Sequence, residues 1–229
     1  MIEEGQLILD FDHRPAFGGE DFLVAPPNSD AVKCIDSWPD WPSSVLVLFG
    51  PAGSGKTHLS EVFQTMSRSY MVTISDLLER QPPNYLGEAP TAILENADTI
   101  LNFADSSLQE SMLHLHNVLY ESGRHLLLTA KKPPSRWGVS LKDLSSRLNI
   151  ATQVRIDAPD DNLIAAVLVK QFQDRQLKID DDVIFFLLAR MERSFEAARS
   201  IVKAMDRLAL KEKRKITVPF ARKVLQQYF

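Results

Sequence analysis

A glycine-rich stretch at residues 50–57 constrains the fold more than any other part of this sequence. It reads Gly50-Pro51-Ala52-Gly53-Ser54-Gly55-Lys56-Thr57 and fits the pattern G-x-x-x-x-G-K-T. The apolar run at residues 45–49 is typical of a strand buried on both faces, and apolar residues at helical spacing follow the loop. A strand, a glycine loop and a helix in this order predict a cradle in which backbone N–H groups hold phosphate.

The last side chains of this stretch predict the ligand more closely. Lys56 is expected to reach the terminal phosphates of a nucleotide, and Thr57 to offer its hydroxyl to Mg²⁺. The predicted nucleotide-binding set is Gly50, Pro51, Ala52, Gly53, Ser54, Gly55, Lys56, Thr57 and His58. The alternative is a chance glycine turn between a core strand and a core helix.

Composition and charge set the class of protein. The chain has 229 residues, 45% of them hydrophobic, which suits one or two globular domains. A net charge of −4 does not indicate a wide nucleic-acid surface, and the basic run at residues 211–215 is interpreted as a solvated helix end, with DNA phosphate contact as the alternative. Cys34 is the single cysteine, so no disulfide framework is predicted. The acidic start and the lack of an apolar run of about 20 residues predict a cytoplasmic protein.

Strand and helix patterns alternate through the first two thirds of the chain. The predicted strands are residues 45–49, 70–74, 91–95, 126–129 and 152–156. This alternation predicts an α/β domain with a five-stranded parallel sheet covered by helices on both faces. Irregular structure is expected at residues 16–40, apart from a short helix at 29–37, and in a proline-containing loop at 81–90.

The pattern changes after Pro159, where four helical segments follow and no further strand is predicted. The expected organisation is therefore a tail at residues 1–15, a nucleotide-binding domain at 16–157 and a small all-helical lid at 158–229.

Several segments resemble one family in order and spacing. An α/β nucleotide-binding core followed by a helical lid resembles AAA+ ATPases, and the stretch at residues 141–148 is similar to a segment of DnaA-type initiators and, more closely, of the DnaA-related Hda family. Residues 22–28, 128–134, 193–198 and 215–220 also resemble DnaA segments. The resemblance covers nearly the whole chain.

The resemblance implies roles for individual residues. Arg147 stands where the family carries an arginine finger, which acts in trans on ATP bound by a neighbouring subunit; a structural salt bridge is the alternative. Thr129 is a sensor 1 candidate, and Arg193 is a sensor 2 candidate that would contact nucleotide phosphates. The adenine side of the nucleotide would be contacted by Phe22, Val24 and Asn28.

The N-terminal tail gains a meaning from the same resemblance. The segment Gln6-Leu7-Ile8-Leu9-Asp10-Phe11 is similar to motifs that bind the DNA polymerase sliding clamp, its β subunit. Gln6 would fix the register by hydrogen bonds, while Leu9 and Phe11 would fill apolar pockets as anchors. Leu7 is also counted among the clamp-binding residues. From the residues alone, an apolar tail that folds back on the body is the alternative.

One departure from the family pattern concerns hydrolysis. The strand that usually ends in paired acids ends here in Glu95-Asn96. Glu95 can serve Mg²⁺, but Asn96 cannot act as a base, so weak intrinsic ATP hydrolysis is expected. Lys131 replaces the polar or acidic residue that related sensors carry. Because hydrolysis is expected to be weak, an adenine nucleotide, ADP or ATP, is expected as a resident ligand.

These features predict an adaptor in replication control. It would bind an adenine nucleotide with Mg²⁺, dock on the sliding clamp and present Arg147 to DnaA-bound ATP, which makes it a negative regulator of initiation at the nucleoid. Direct DNA contact would be weak, and the oligomeric state is left open, a homo-oligomer included. One alternative is a self-sufficient ATPase of the DnaA or helicase-loader type. Another is a nucleotide-independent clamp binder with a vestigial loop.

Overall fold

The chain forms two compact units, of which one contains His13–Asp157 and the other Ala158–Phe229. The computed structural model describes residues 12–14, 22–79, 81–102 and 106–228. In that part of the chain, no helix combines the length and apolar character needed to cross a membrane.

A five-stranded parallel sheet organises the first unit, as the sequence predicts. Its strands are β3 (Val45–Phe49), β4 (Tyr70–Met71), β5 (Thr91–Leu94), β6 (His125–Ala130) and β7 (Thr152–Arg155), and their order across the sheet is β4-β5-β6-β3-β7. The interior strand β3 pairs with β6 on one side and β7 on the other. Because the strands are parallel, the loops at their carboxyl ends meet at one edge of the sheet.

Two further strands lie outside this sheet. β1 (Asp12–Arg14) pairs with β2 (Phe22–Val24) in a two-stranded sheet. The prediction of irregular structure at residues 16–40 is therefore wrong for β2, whose three residues are too few to show a period-two pattern.

Seven helices accompany the large sheet in the part of the unit that the structure describes. They are α1 (Ser29–Asp36), α2 (Lys56–Ser67), α3 (Ile74–Glu79), α4 (Pro82–Leu86), α5 (Ala97–Leu101), α6 (Ser106–Glu121) and α7 (Lys142–Ile150), and a 3-10 turn covers Pro134–Arg136. Alternate residues of β3 enter different cores: Val45 and Val47 pack with α6, whereas Leu46 and Leu48 pack with α1 and α2. Burial on both faces explains why the strand reads as a continuous apolar run.

Two further predictions in this unit are wrong. The strand expected at residues 70–74 ends at Met71, because Thr73 Oγ1 accepts from Asp76 N at 3.1 Å and Asp76 Oδ2 accepts from Thr73 N at 2.9 Å, which starts α3. The loop expected at residues 81–90 contains helix α4, whose first turn holds prolines. Proline is tolerated there because a helix leaves its first N–H groups unbonded.

The second unit is all-helical in its described residues. It contains α8 (Asp161–Asp174), α9 (Asp181–Leu188), α10 (Phe195–Glu212) and α11 (Val218–Tyr228). Ser194 Oγ accepts from Ala197 N at 3.1 Å and caps α10, as the sequence indicates. Apolar residues from all four helices, such as Phe172, Leu187, Met205 and Val224, form one core.

Candidate functional site: a phosphate-binding loop and a tethered arginine

The glycine loop lies between β3 and α2, at the carboxyl edge of the sheet. Gly53 and Gly55 have positive φ angles of 71° and 94°, which residues with a β-carbon rarely adopt. Gly55 is the residue before the first turn of α2, so the N-terminus of that helix faces the loop. This backbone is the geometry that holds phosphate oxygens on N–H groups.

Gly50 has no room for a side chain. A β-carbon there would lie 2.0 Å from Ile156 O and 3.3 Å from Ser54 Oγ. The residue after β7 therefore approaches the loop so closely that only glycine fits. The tight packing fixes the backbone at the start of the loop, where the predicted phosphate cradle begins.

Lys56 folds over the loop. Its Nζ donates to Gly50 O at 2.9 Å, to Pro51 O at 2.6 Å and to Ser54 Oγ at 3.2 Å. Burial is the largest cause that lowers the pKa of the Lys56 ammonium, and the positive charge of Lys131 lowers it further. The negative charges of Asp98 and Glu95 act in the opposite direction. Phosphate oxygens would offer this ammonium stronger acceptors than the carbonyl groups it contacts.

Glu95 is fixed to the helix that follows the loop. Ser60 Oγ, on α2, lies 2.6 Å from Glu95 Oε1 and 2.8 Å from Thr57 O. Ser60 is fully buried, whereas Thr57 is exposed. Ser60 thus links the backbone carbonyl of Thr57 to the carboxylate of Glu95, the two residues predicted to hold Mg²⁺. A hydroxyl plus a carboxylate is an oxygen set that suits Mg²⁺. Among the described residues no group of three or more His, Cys, Asp and Glu residues forms a metal cluster.

Thr129 and Asn96 are joined by a hydrogen bond. Asn96 adopts a left-handed conformation with φ 53°, and its N–H donates to Thr129 Oγ1 at 3.1 Å. Next to them, Lys131 N donates to Asp98 Oδ2 at 2.9 Å. Thr129 is 2% exposed, so its hydroxyl holds the end of β5 against β6. Lys131 and Asp98 also lie close enough to act electrostatically on Lys56.

Arg147 lies on α7 with one third of its side chain exposed. Its Nε donates to Asp143 Oδ1 at 2.9 Å, and its Nη2 donates to Asp143 Oδ2 at 3.3 Å. Arg147 Nη1 lies 3.5 Å from Nδ1 of His116, whose ring stacks on Tyr120 with centroids 6.2 Å apart. The bond from Arg147 lowers the pKa of Asp143, and burial, followed by the Arg147 charge, lowers the pKa of His116.

The predicted adenine-side residues have different environments. Asn28 is 2% exposed, its Oδ1 accepts from Ala25 N and its Nδ2 donates to Leu23 O, each at 2.9 Å. Its side chain thus holds the turn before α1. Val24 is half-buried against the core that contains α1 and α2, and the backbone of Phe22 belongs to β2.

Arg193 lies in the second unit, just before α10. Its guanidinium donates to Asp161 through Nε at 2.5 Å and Nη2 at 3.0 Å, and its side chain is 61% exposed. The clamp-like residues Gln6, Leu7, Leu9 and Phe11 lie outside the described residues.

Sequence reasoning missed the residues that hold the predicted ones. Asp143 precedes Arg147 by four positions on a predicted helix, which is a readable signal for an ion pair. Ser60 and His116 lie 35 and 31 residues from their partners Glu95 and Arg147, so only the tertiary fold brings them together.

The chain is similar to known proteins both in its helical unit and over most of its length. The family model of the Hda lid domain matches residues 160–225. An uncharacterized protein of Haemophilus influenzae is 29% identical over 188 residues, which cover 78% of this chain and 80% of that protein. Domain III of the replication initiation protein DnaA from Thermotoga maritima matches with a TM-score of 0.75 at 16% identity, over 90% of this chain and 94% of that one.

A nucleotide is present in another similar structure. AMPPCP-bound DnaA from Aquifex aeolicus matches with a TM-score of 0.66 at 18% identity, over 84% of this chain and 68% of that one. These structural matches show the fold, which is that of the AAA+ proteins, and confirm the predicted fold class.

Proposed function

We propose that this chain, an Hda-like and DnaA-related protein with the AAA+ fold, completes the ATPase site of DnaA and so switches off initiation. The matches to the Hda lid domain and to DnaA support a role in the control of replication initiation. The finer proposal has three parts: a resident adenine nucleotide, docking on the sliding clamp through Gln6 to Phe11, and Arg147 as a finger in trans.

The observation that carries the proposal is the setting of Arg147. The side chain is one third exposed, lies on a short helix and is held by one carboxylate that is itself 55% exposed. An exposed pair of this kind exchanges its partner at little cost, because solvent screens the attraction. A triphosphate bound by a neighbouring subunit carries more negative charge than Asp143 and can replace it as the partner of the Arg147 guanidinium.

The nucleotide site of the chain itself is proposed as a structural site. Loop backbone and Lys56 would hold the phosphates, and Thr57 and Glu95 would hold Mg²⁺, which screens the phosphate charge when it is bound. Asn96 is exposed and cannot accept a proton from an attacking water. Slow hydrolysis by the isolated protein is therefore part of the proposal.

The self-sufficient ATPase is the second candidate, and the bond from Ser60 to Glu95 favours it. A fixed carboxylate at 2.6 Å from Ser60 could orient both Mg²⁺ and water. This function requires appreciable steady-state hydrolysis by the isolated protein, and loss of that hydrolysis in Lys56→Ala.

The proposal is tested by measuring ATP hydrolysis by DnaA with the sliding clamp loaded on DNA. The protein is added as wild type, as a variant with Gln6→Ala, Leu9→Ala and Phe11→Ala, and as a matched variant with Gln173→Ala and Gln227→Ala, two exposed helix positions. Stimulation by the wild type and by the matched variant, and its loss in the tail variant, are expected. Full stimulation by the tail variant would overturn clamp docking.

A further inference from the structure

A groove lies between α9 and α11 in the helical unit. It is lined by Phe186 of α9, by Arg190 just after α9, and by Arg222, Leu225 and Gln226 of α11, and its volume is about 370 Å³. Ligand pockets in proteins hold roughly 300–1,000 Å³, so this groove accommodates a short segment of peptide. The groove is called the α9/α11 groove below.

Two guanidinium groups converge on one aromatic ring in this groove. Arg190 Cζ lies 4.1 Å from the centroid of the Phe186 ring, and Arg222 Cζ lies 5.7 Å from it. A guanidinium within about 6 Å of a ring centroid is attracted by the negative face of the ring. The attraction keeps both positive charges at the groove, although they repel each other.

The two charges have no carboxylate partner in the described part of the chain. Other arginines of the same unit do have one: Arg175 lies 4.0 Å from Asp206, and Arg193 donates to Asp161. Arg190 uses Nη1 for a long bond of 3.4 Å to Phe186 O, and most of its five N–H donors remain for a ligand. Adjacent guanidiniums with free donors are complementary to a carboxylate or phosphate.

The other residues of the groove favour a carboxylate ligand over a phosphate ligand. Phe186 is 8% exposed and is covered by guanidinium groups, so its ring face is closed to the bases of a nucleic acid. Leu225 adds an apolar wall, and Gln226 adds an amide that can donate or accept. An apolar side chain between carboxylates matches this combination better than a sugar-phosphate chain does.

We propose that the α9/α11 groove binds an acidic peptide segment of a partner protein, with an apolar side chain against Leu225 and carboxylates on Arg190 and Arg222. Carboxylate-rich motifs are recognised by arginine clusters in this way. The groove shares no residue with the phosphate-binding loop, so this proposal does not depend on the function proposed above.

The test uses the full chain and a fluorescein-labelled peptide of sequence Asp-Leu-Leu-Asp, followed by anisotropy. Binding should weaken at least tenfold in Arg190→Gln and in Arg222→Gln, and remain unchanged in Lys203→Gln, which removes an exposed cation of α10. The peptide Asn-Leu-Leu-Asn should bind at least tenfold more weakly. Equal binding of the two peptides, or no binding of the acidic one, would refute the proposal.

A second variant keeps the arginines and the fold. Gln226→Glu adds a carboxylate in the groove and should also weaken binding at least tenfold, whereas Gln227→Glu on the same helix should not. A thymidine oligonucleotide serves as competitor. Displacement of the peptide by the oligonucleotide at equal concentration would mean a general anion surface and would overturn the peptide proposal.

Discussion

Ser60 Oγ lies 2.6 Å from Glu95 Oε1, although the two residues are 35 positions apart in the sequence. The hydrogen bond joins the helix after the phosphate-binding loop to the end of a central strand. It places the predicted Mg²⁺ carboxylate by a tertiary contact, not by the strand alone. Groups that orient a metal ligand commonly change metal affinity 10–100-fold when they are removed.

Replacing Ser60 with alanine should therefore weaken nucleotide binding in Mg²⁺ about tenfold and leave binding without Mg²⁺ unchanged. The affinity of a fluorescent adenine nucleotide, titrated with and without MgCl₂, measures both. The free energy of unfolding should fall by about 1 kcal/mol, because one buried hydrogen bond is lost.

Ser67→Ala is the matched control for this variant. Ser67 is a buried serine of the same helix, and its Oγ donates to Phe63 O at 2.6 Å. Its replacement should cost similar stability without any Mg²⁺-dependent change. Equal loss of Mg²⁺-dependent affinity in both variants would show that Ser60 acts only on stability.

Gly50→Ala should destabilise the nucleotide-binding unit by about 1–3 kcal/mol, because a β-carbon 2.0 Å from Ile156 O forces the backbone to move. Nucleotide affinity should fall at the same time, since the displaced segment begins the phosphate cradle. Thermal unfolding and nucleotide titration measure the two effects. Gly123→Ala, at a loop position with open space around the β-carbon but a positive φ of 66°, should also lower stability while it leaves nucleotide affinity intact.

His116 should make stability depend on pH. Its pKa is lowered in the folded protein, chiefly by burial, so the folded state favours the neutral imidazole. Its contribution to stability is full above the unfolded pKa of about 6.5 and is lost as pH falls from there towards the lower folded pKa. Urea unfolding between pH 7.5 and 5 should show this loss in the wild type.

The His116→Gln variant should show a smaller decrease over that range than the wild type. His114→Gln, which changes an exposed imidazole two positions away, should behave like the wild type. An unchanged pH slope in His116→Gln would mean that another group, such as His125, causes the decrease, because burial lowers its pKa too.

Asp143→Asn should release Arg147 without damage to the fold, because both side chains are substantially exposed. If the carboxylate competes with the phosphates of DnaA-bound ATP, the variant should reach half-maximal stimulation of DnaA hydrolysis at a several-fold lower concentration. A higher half-maximal concentration would mean that Asp143 orients the guanidinium for its partner. Titration of the variant into a fixed amount of DnaA distinguishes the two.

The elements with strong local patterns could be predicted from the sequence. β3 begins at Val45 and ends at Phe49, as predicted. An apolar run between a pair of serines and a glycine loop is compatible with few other structures. Helix α4 was not expected because prolines suggest a loop, although Pro82 and Pro83 occupy a helical first turn that tolerates them. The spacing of Thr73 and Asp76 resembles a capping box, which indicates the start of a helix at α3.

The groups that hold the candidate site could not be predicted in the same way. Glu95, Thr129 and Arg147 stand out by motif position, but their contacts with Ser60, Asn96 N and His116 depend mostly on which elements the sheet brings together. Sequence spacing reports neighbours within one helix or strand and carries no information on pairs that are 30 residues apart.

The most direct test of the account is ATP hydrolysis by DnaA, with clamp loaded on DNA, in the presence of the Arg147→Ala variant. Lys142→Ala, which removes an exposed cation of the same helix, is the matched control. An arginine finger contributes about 10³–10⁵ to hydrolysis rates, so Arg147→Ala should return DnaA to its unstimulated rate while Lys142→Ala stimulates like the wild type. Stimulation by Arg147→Ala equal to that of the wild type would contradict the account.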